Sequence, residues 1–235
     1  MRKIVWSCWL QGRIRAPWLV EQCLRSWEER NPEWDVRCLD QGSLARYIDV
    51  PDLSTKQITP TSYSDIVRIL LLRTNGGVWT DATVYCNRPL DDWLEELVPS
   101  DFFAFDNPGG GRLLSSWFLA GEAHHVVFER WCAVTLEYWA QRALAHDYFW
   151  FHHLFAELYC TEPAFAAAWD EVPKRSANGP HAIQTVGLFE TNPVTIRERV
   201  DWQCPVFKLT YRLDERQCVP GTLLARLLGP APCNA

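Results

Sequence analysis

The chain has 235 residues, of which 48% are hydrophobic and 22% charged. That composition excludes a disordered chain and suits one domain with a sizeable core. A formal net charge of −6, with no run of Lys or Arg, argues against a nucleic-acid partner, because phosphate binding needs a concentrated basic surface. The nine cysteines form no C-x-x-C pair and no zinc-like cluster with His, so free thiols in a reducing, cytoplasmic setting are expected. Thirteen tryptophans are expected mostly in the core, with one or two at strand ends stacking on a ligand.

In chain order, Lys3–Trp9 is a continuous β-prone run, the pattern of a first, buried parallel strand, and Gln11-Gly12 breaks it. The run is too short for a signal peptide, and nowhere do eighteen apolar residues run together, so no transmembrane segment is expected. Pro17 opens a helix through about Arg30, which Asn31-Pro32 ends. Trp34–Leu39 reads as a second strand, and Asp40 caps a short helix to Ile48. Further on, Phe102–Phe105 and Leu113–Leu119 are strands on either side of Pro108-Gly109-Gly110-Gly111, a surface loop placed to move over a site. Long helices follow over His124–Ala143 and Tyr148–Tyr159. The pairs His124-His125 and His152-His153 point about 100° apart on a helix, so neither chelates one ion by itself. Pro163, Pro173 and Asn178-Gly179-Pro180 punctuate the rest, before a late strand at Pro205–Tyr211, a short helix at Leu223–Leu228 and a proline-containing tail. The β-α-β-α order predicts an α/β protein with a mostly parallel sheet. There is no internal repeat and no linker, so 1–235 is read as a single domain.

The richest stretch is Thr59–Val84. Pro60 blocks helix on its N-terminal side, and Ser62 with Asp65 has capping-box spacing. Val67, Leu70, Leu71 and Thr74 make a buried helical face, while Asp65 and Arg68 project together from another. Asn75-Gly76-Gly77 turns the chain, Val78-Trp79-Thr80 is a short strand, and Asp81 sits where it ends. Ligands gather at the carboxyl ends of strands in α/β sheets, which makes Asp81 the first candidate for chemistry. From spacing alone, Asp65 is a capping-box residue with Arg68 its i+3 partner, and Asp81 has a turn-capping alternative.

The combination Ser64-Asp65-Ile66-Val67-Arg68 and Gly76-Gly77-Val78-Trp79-Thr80-Asp81-Ala82-Thr83-Val84 resembles the signature of the capsular-polysaccharide-synthesis glycosyltransferases. These are relatives of the sugar transferases with a DXD region, such as the yeast initiating mannosyltransferases and the clostridial glucosylating toxins. Ser116–Ala120, Tyr138-Trp139, Asp147-Tyr148-Phe149 with His152, and Lys208-Leu209-Thr210 are similar to later family blocks. The resemblance implies a GT-A fold with a nucleotide-sugar half at about 1–121 and a helical acceptor-side half at about 122–235. It implies sugar transfer, with retention, from a nucleoside-diphosphate sugar to a glycan or small-molecule acceptor in surface polysaccharide or related glycan synthesis, and it leaves room for peripheral membrane association.

Position by position, the resemblance puts Asp65 and Arg68 on the donor sugar and Asp81 first in the metal- and sugar-binding motif. Trp6, Gln11, Gly77, Thr83 and Lys208 become further substrate-binding candidates, Trp6 for the nucleobase, with Trp79 assigned to the core. Asp147 and His152 become candidates to orient the acceptor or act as base, with helix packing an equal alternative. Mn²⁺ or Mg²⁺ is the implied cofactor, on Asp81 and Thr83, because a departing diphosphate needs a counter-charge. Where many relatives carry a second aspartate this chain has Thr83, so Arg68 and Lys208 are placed to share that task. The alternative function is a catalytically decayed, nucleotide-sugar-binding or scaffolding member.

Overall fold

A computed structural model describes residues 1–229 and 231; Cys233 and most of the proline-containing tail lie outside them. Strand β1 (Ile4–Cys8) is buried over its first four residues, as its unbroken apolar run requires. Helix α1 (Trp18–Arg30), β2 (Asp35–Leu39), α2 (Pro60–Asn75) and β3 (Gly77–Thr80) follow. A short β4 (Val84–Cys86) precedes β5 (Phe102–Asp106) and β6 (Leu114–Gly121). The remainder is α3 (Val126–Gln141), α4 (Trp150–Thr161), α5 (Pro163–Asp170), α6 (Ala182–Val186), α7 (Pro193–Arg199), β7 (Val206–Lys208) and α8 (Leu223–Leu228).

The central sheet has the order β2-β1-β3-β6-β5. Strands β2, β1 and β3 are parallel neighbours, and β6 is antiparallel to both β3 and β5. Four of the five strands therefore run one way and β6 runs against them. That makes the sheet mixed, because the β5–β6 connection is a hairpin through the Gly-rich loop rather than a helical crossover. A two-stranded ribbon, β4 with β7, stands apart from it. No helix of the described residues is long and apolar enough to cross a membrane.

Helix α2 starts earlier than its sequence suggests. Thr59 is the N-cap, its hydroxyl accepting from the Ser62 backbone N–H, and Pro60 occupies the first turn. Proline is tolerated there because its missing N–H would have had no helical partner. Asp65 thus falls beyond the cap. The helix is buried from Asp65 through Leu72 on all sides, since it lies between the sheet and α3 rather than on the surface. Pro163, read as punctuation, instead begins α5, for the same reason as Pro60.

Gly76 and Gly77 close α2 at φ +64° and +92°. A Cβ on Gly77 would lie 2.5 Å from Ile4 Cγ2 and 2.7 Å from the Ile4 carbonyl oxygen. Gly77 opens β3, at the opposite end of the strand from Asp81. Its part is to let β3 approach β1, which corrects the expectation that it binds substrate. Gly77→Ala is expected to cost about 2–4 kcal/mol, read as a lower urea midpoint with an unchanged slope.

Candidate active site

Chain direction decides where a crevice opens. From β1 the chain moves to one side for β2, then returns across β1 for β3, so the loops at their carboxyl ends part. Asp81 follows β3 at that edge, its backbone N–H bonded to the Trp117 carbonyl of β6. The start of β6 reaches the same edge because that strand runs in reverse.

Arg68 lies beneath this edge with its side chain only 4% exposed. Its Nη1 donates to Asp65 Oδ1 and Ser116 Oγ, each at 2.6 Å, and its Nη2 donates to Asp81 Oδ1 at 2.9 Å. The guanidinium carbon is 5.3 Å from the centre of the Trp79 ring, a cation–π distance. Trp79 Nε1 also donates to Asp81 Oδ1, at 3.1 Å. Trp79 is thus a core residue, as expected, that also aims the carboxylate. On the other side Lys208 Nζ donates to Asp81 Oδ2 at 3.0 Å and to Thr83 Oγ1 at 2.6 Å. The β4–β7 register sets Val84 opposite Lys208, which fixes that approach.

Two lobes of about 520 and 490 Å³ meet over these residues, and Arg68, Asp81, Tyr148, His181, Gln184 and Lys208 line both. Cys8–Gln11, Thr83 and Leu209–Arg212 also line the first lobe. Asp65, Arg112, Ser116, Phe149 and His152 belong to the second. The Gly-rich loop borders the second lobe through Pro108, where Arg112 pins it by donating to the Gly109 and Pro108 carbonyls at 3.0 Å and stacking on Phe149.

Asp65, Arg68, Asp81, Gln11, Thr83, Lys208 and His152 are therefore brought to one cleft. Trp6 is not. It is buried, gives its indole N–H to the Gly76 carbonyl and packs on Tyr47, so it cannot meet a base. The aromatic groups that line the first lobe are Trp9, Tyr148 and Tyr211; Trp6 lies within β1, which is buried on both faces, whereas Trp9 lies beyond the strand end. Asp147 also departs from expectation. Its Oδ2 lies 2.8 Å from His146 Nε2 and 3.0 Å from His153 Nδ1, in an exposed group outside both lobes. His181 and Gln184, set by the five-residue α6, carried no sequence signal. Arg112 and Tyr148 sat in segments singled out for other reasons.

Charge states follow from burial and neighbours. Burial pushes the Asp65 carboxyl up to about 7, with Arg68 opposing and Asp81 adding. Burial also works against ionised Asp81, but Lys208 and then Arg68 outweigh it and hold that carboxyl below its usual value. Burial, then Arg68 and Arg112, push His152 down to about 3, and burial with Lys208 takes His181 to about 4. Both imidazoles are neutral at pH 7. His152 is thus a poor proton acceptor, a correction to its expected role as base, though its buried Nδ1 has no protein partner.

The expected metal ligands do not fit a divalent ion in this arrangement. Asp81 and Thr83 face each other across the Lys208 ammonium, and all of their side-chain oxygens are already bonded. Mg²⁺ and Mn²⁺ favour several oxygen ligands in near-octahedral array.

The order of the mixed sheet and the cleft at its carboxyl edge are those of a GT-A-type fold. The chain matches the model of the "Capsular polysaccharide synthesis protein" family over residues 1–227 and belongs to that family. It is 27% identical over 158 residues to the O-glycosyltransferase braB of Annulohypoxylon truncatum, covering 58% of this chain and 38% of that protein. To an initiation-specific alpha-1,6-mannosyltransferase of Candida albicans it is 30% identical over 103 residues, covering 39% and 26%. The chain thus spans about two fifths or less of the length of these curated relatives. The crystal structure of the glycosyltransferase GlyE of Streptococcus pneumoniae shares the fold, with a TM-score of 0.50 and 10% identity, over 97% of this chain and 59% of that one.

The Asp65 shift has a definite sign. The folded protein keeps a proton that the unfolded chain releases between about pH 4 and 7, so the stability this group contributes is present at low pH and lost as pH rises to 7. Carboxyl ¹³C NMR, assigned with Asp65→Asn, is expected to show one aspartate with a midpoint near neutrality while Asp81 stays ionised. A midpoint below 4 for Asp65 would contradict the environment described.

Proposed function

We propose that this chain transfers a sugar from a nucleoside-diphosphate donor to a hydroxyl of a glycan or small-molecule acceptor, with retention at the anomeric carbon. The observation that carries the reading is the convergence of Asp65, Arg68 and Asp81 on one cleft at the carboxyl ends of β1 and β3. Asp81, oriented by Trp79, Arg68 and Lys208, accepts hydrogen bonds from donor hydroxyls or holds the groups that meet the diphosphate. Asp65 and Arg68 form the floor under the sugar, and Trp9 and Tyr211 offer faces for the base.

In the transfer, the bond from the anomeric carbon to the β-phosphate oxygen breaks and that oxygen keeps the electron pair. A bond from the anomeric carbon to the acceptor oxygen forms, and the acceptor's proton passes to the released diphosphate. Among the described residues lining the lobes the carboxylates are Asp65 and Asp81, both tied to Arg68. Neither is a free base on the far face of the sugar, which favours departure and attack on the same face. The eight described cysteines are free thiols, in keeping with a reducing, cytoplasmic setting. The family supports a place in surface polysaccharide or related glycan synthesis.

Asp81→Asn is expected to lower donor turnover at least about 100-fold, with a melting midpoint within about 4 °C of the parent. Sugar release from a panel of nucleotide sugars, read by chromatography, checks this. Donor binding without turnover by the parent protein would favour a non-catalytic, nucleotide-sugar-binding role, and full activity of Asp81→Asn would remove Asp81 from the chemistry.

A further inference from the structure

We infer that the Lys208 ammonium is the built-in counter-charge for the donor's diphosphate, so that this chain binds and cleaves its donor without a divalent ion. The inference rests on the donor reading above and concerns how that same cleft handles charge. Lys208 Nζ occupies the gap between Asp81 Oδ2 and Thr83 Oγ1, the two oxygens from which an ion would have to be hung. An ammonium has three donors and no acceptor. Two are spent on Asp81 and Thr83, and the third is left for a phosphate oxygen in a cleft whose two lobes Lys208 lines.

The lysine is held for this position. Its backbone N–H donates to the Pro180 carbonyl at 2.8 Å, and its own carbonyl accepts from Gln184 Nε2 at 2.8 Å. Leu209 N–H donates to the Thr83 carbonyl at 2.8 Å, fastening the next residue to the motif. Its side chain is 18% exposed, so the charge acts in a medium less screening than water.

Charge balance points the same way. Arg68, Arg112, Lys208 and Arg212 line the cleft against two carboxylates, Asp65 and Asp81. A chain of net charge −6 thus carries a cationic excess where a diphosphate would lie. With one carboxylate in the motif instead of two, a divalent ion has one fewer anionic ligand to hold it, whereas the ammonium is held covalently by its own chain. When the anomeric bond breaks, the electron pair lands on an oxygen already within reach of that fixed positive charge.

Calorimetry with pyrophosphate, UDP and GDP, in EDTA and in Mn²⁺, tests this. At least one nucleotide is expected to bind in EDTA with an affinity within about twofold of that in Mn²⁺. Lys208→Ala is expected to weaken binding in EDTA by at least about tenfold, with the fold checked by melting. The paired change Lys208→Ala with Thr83→Asp rebuilds two carboxylates without the ammonium, and binding should then require Mn²⁺. Heat from Mn²⁺ alone is assigned with His153→Ala, because the exposed His146, Asp147 and His153 present three ligand atoms close together. Nucleotide binding by the parent that appears only with Mn²⁺ would overturn the inference and leave the donor reading standing. Binding by the parent in neither condition would remove both.

Discussion

The cleft depends on one buried cation. Arg68 sits in the buried middle of α2, among Ile66, Val67, Ile69 and Leu70, where an unpaired guanidinium would cost several kcal/mol. Its two terminal nitrogens are answered by Asp65 from its own helix, Asp81 from the end of β3 and Ser116 from β6, with the Trp79 ring against the guanidinium, while its Nε is left without a partner. One side chain therefore locks a helix and two strands in register at the ligand edge. Asp81 stays ionised because Lys208, with Arg68, outweighs its burial, whereas burial carries Asp65 toward neutrality against the pull of Arg68.

Topology supplies the hollow and the C-terminal segment supplies its wall. The switch of direction at β1 leaves a crevice between the strands that flank it, and β6 enters that edge in reverse so that Ser116 arrives with it. The β4–β7 ribbon then does what no strand of the main sheet can do. It carries a lysine from near the end of the chain back to the motif that follows β3. The ribbon is anchored to α1 as Trp27 Nε1 donates to the Val84 carbonyl and Ser26 Oγ accepts from the Cys86 N–H.

Much of this was legible in the sequence where periodicity and punctuation agreed. The first two strands, α1, the α2–β3 unit and the long helices follow from apolar runs and Gly or Pro breaks. The Asp65–Arg68 pair was visible from spacing, but its depth was not, because burial on all sides depends on α3 covering a face that looks free in one dimension. Trp6 misled because it lies in the middle of a strand buried on both faces, where its indole meets the Gly76 carbonyl just before β3 rather than the ligand edge. Asp147 and His152 are five residues apart, yet one faces solvent and the other the cleft, since Asp147 precedes α4 and His152 lies within it. His181 and Gln184 come from a five-residue helix between prolines and glycines, too short for any periodic signal.

The absent second aspartate and the late lysine are best understood together. Two carboxylates around one point repel each other and call for a doubly charged partner; a carboxylate and a hydroxyl do not. With a hydroxyl at Thr83 the motif carries one negative charge, and the Lys208 ammonium bridges that charge and the hydroxyl. Asp81 thus has donors on both oxygens, Arg68 and Trp79 on one and Lys208 on the other. The threonine that looks like decay in the motif is thus held by a lysine 125 residues away.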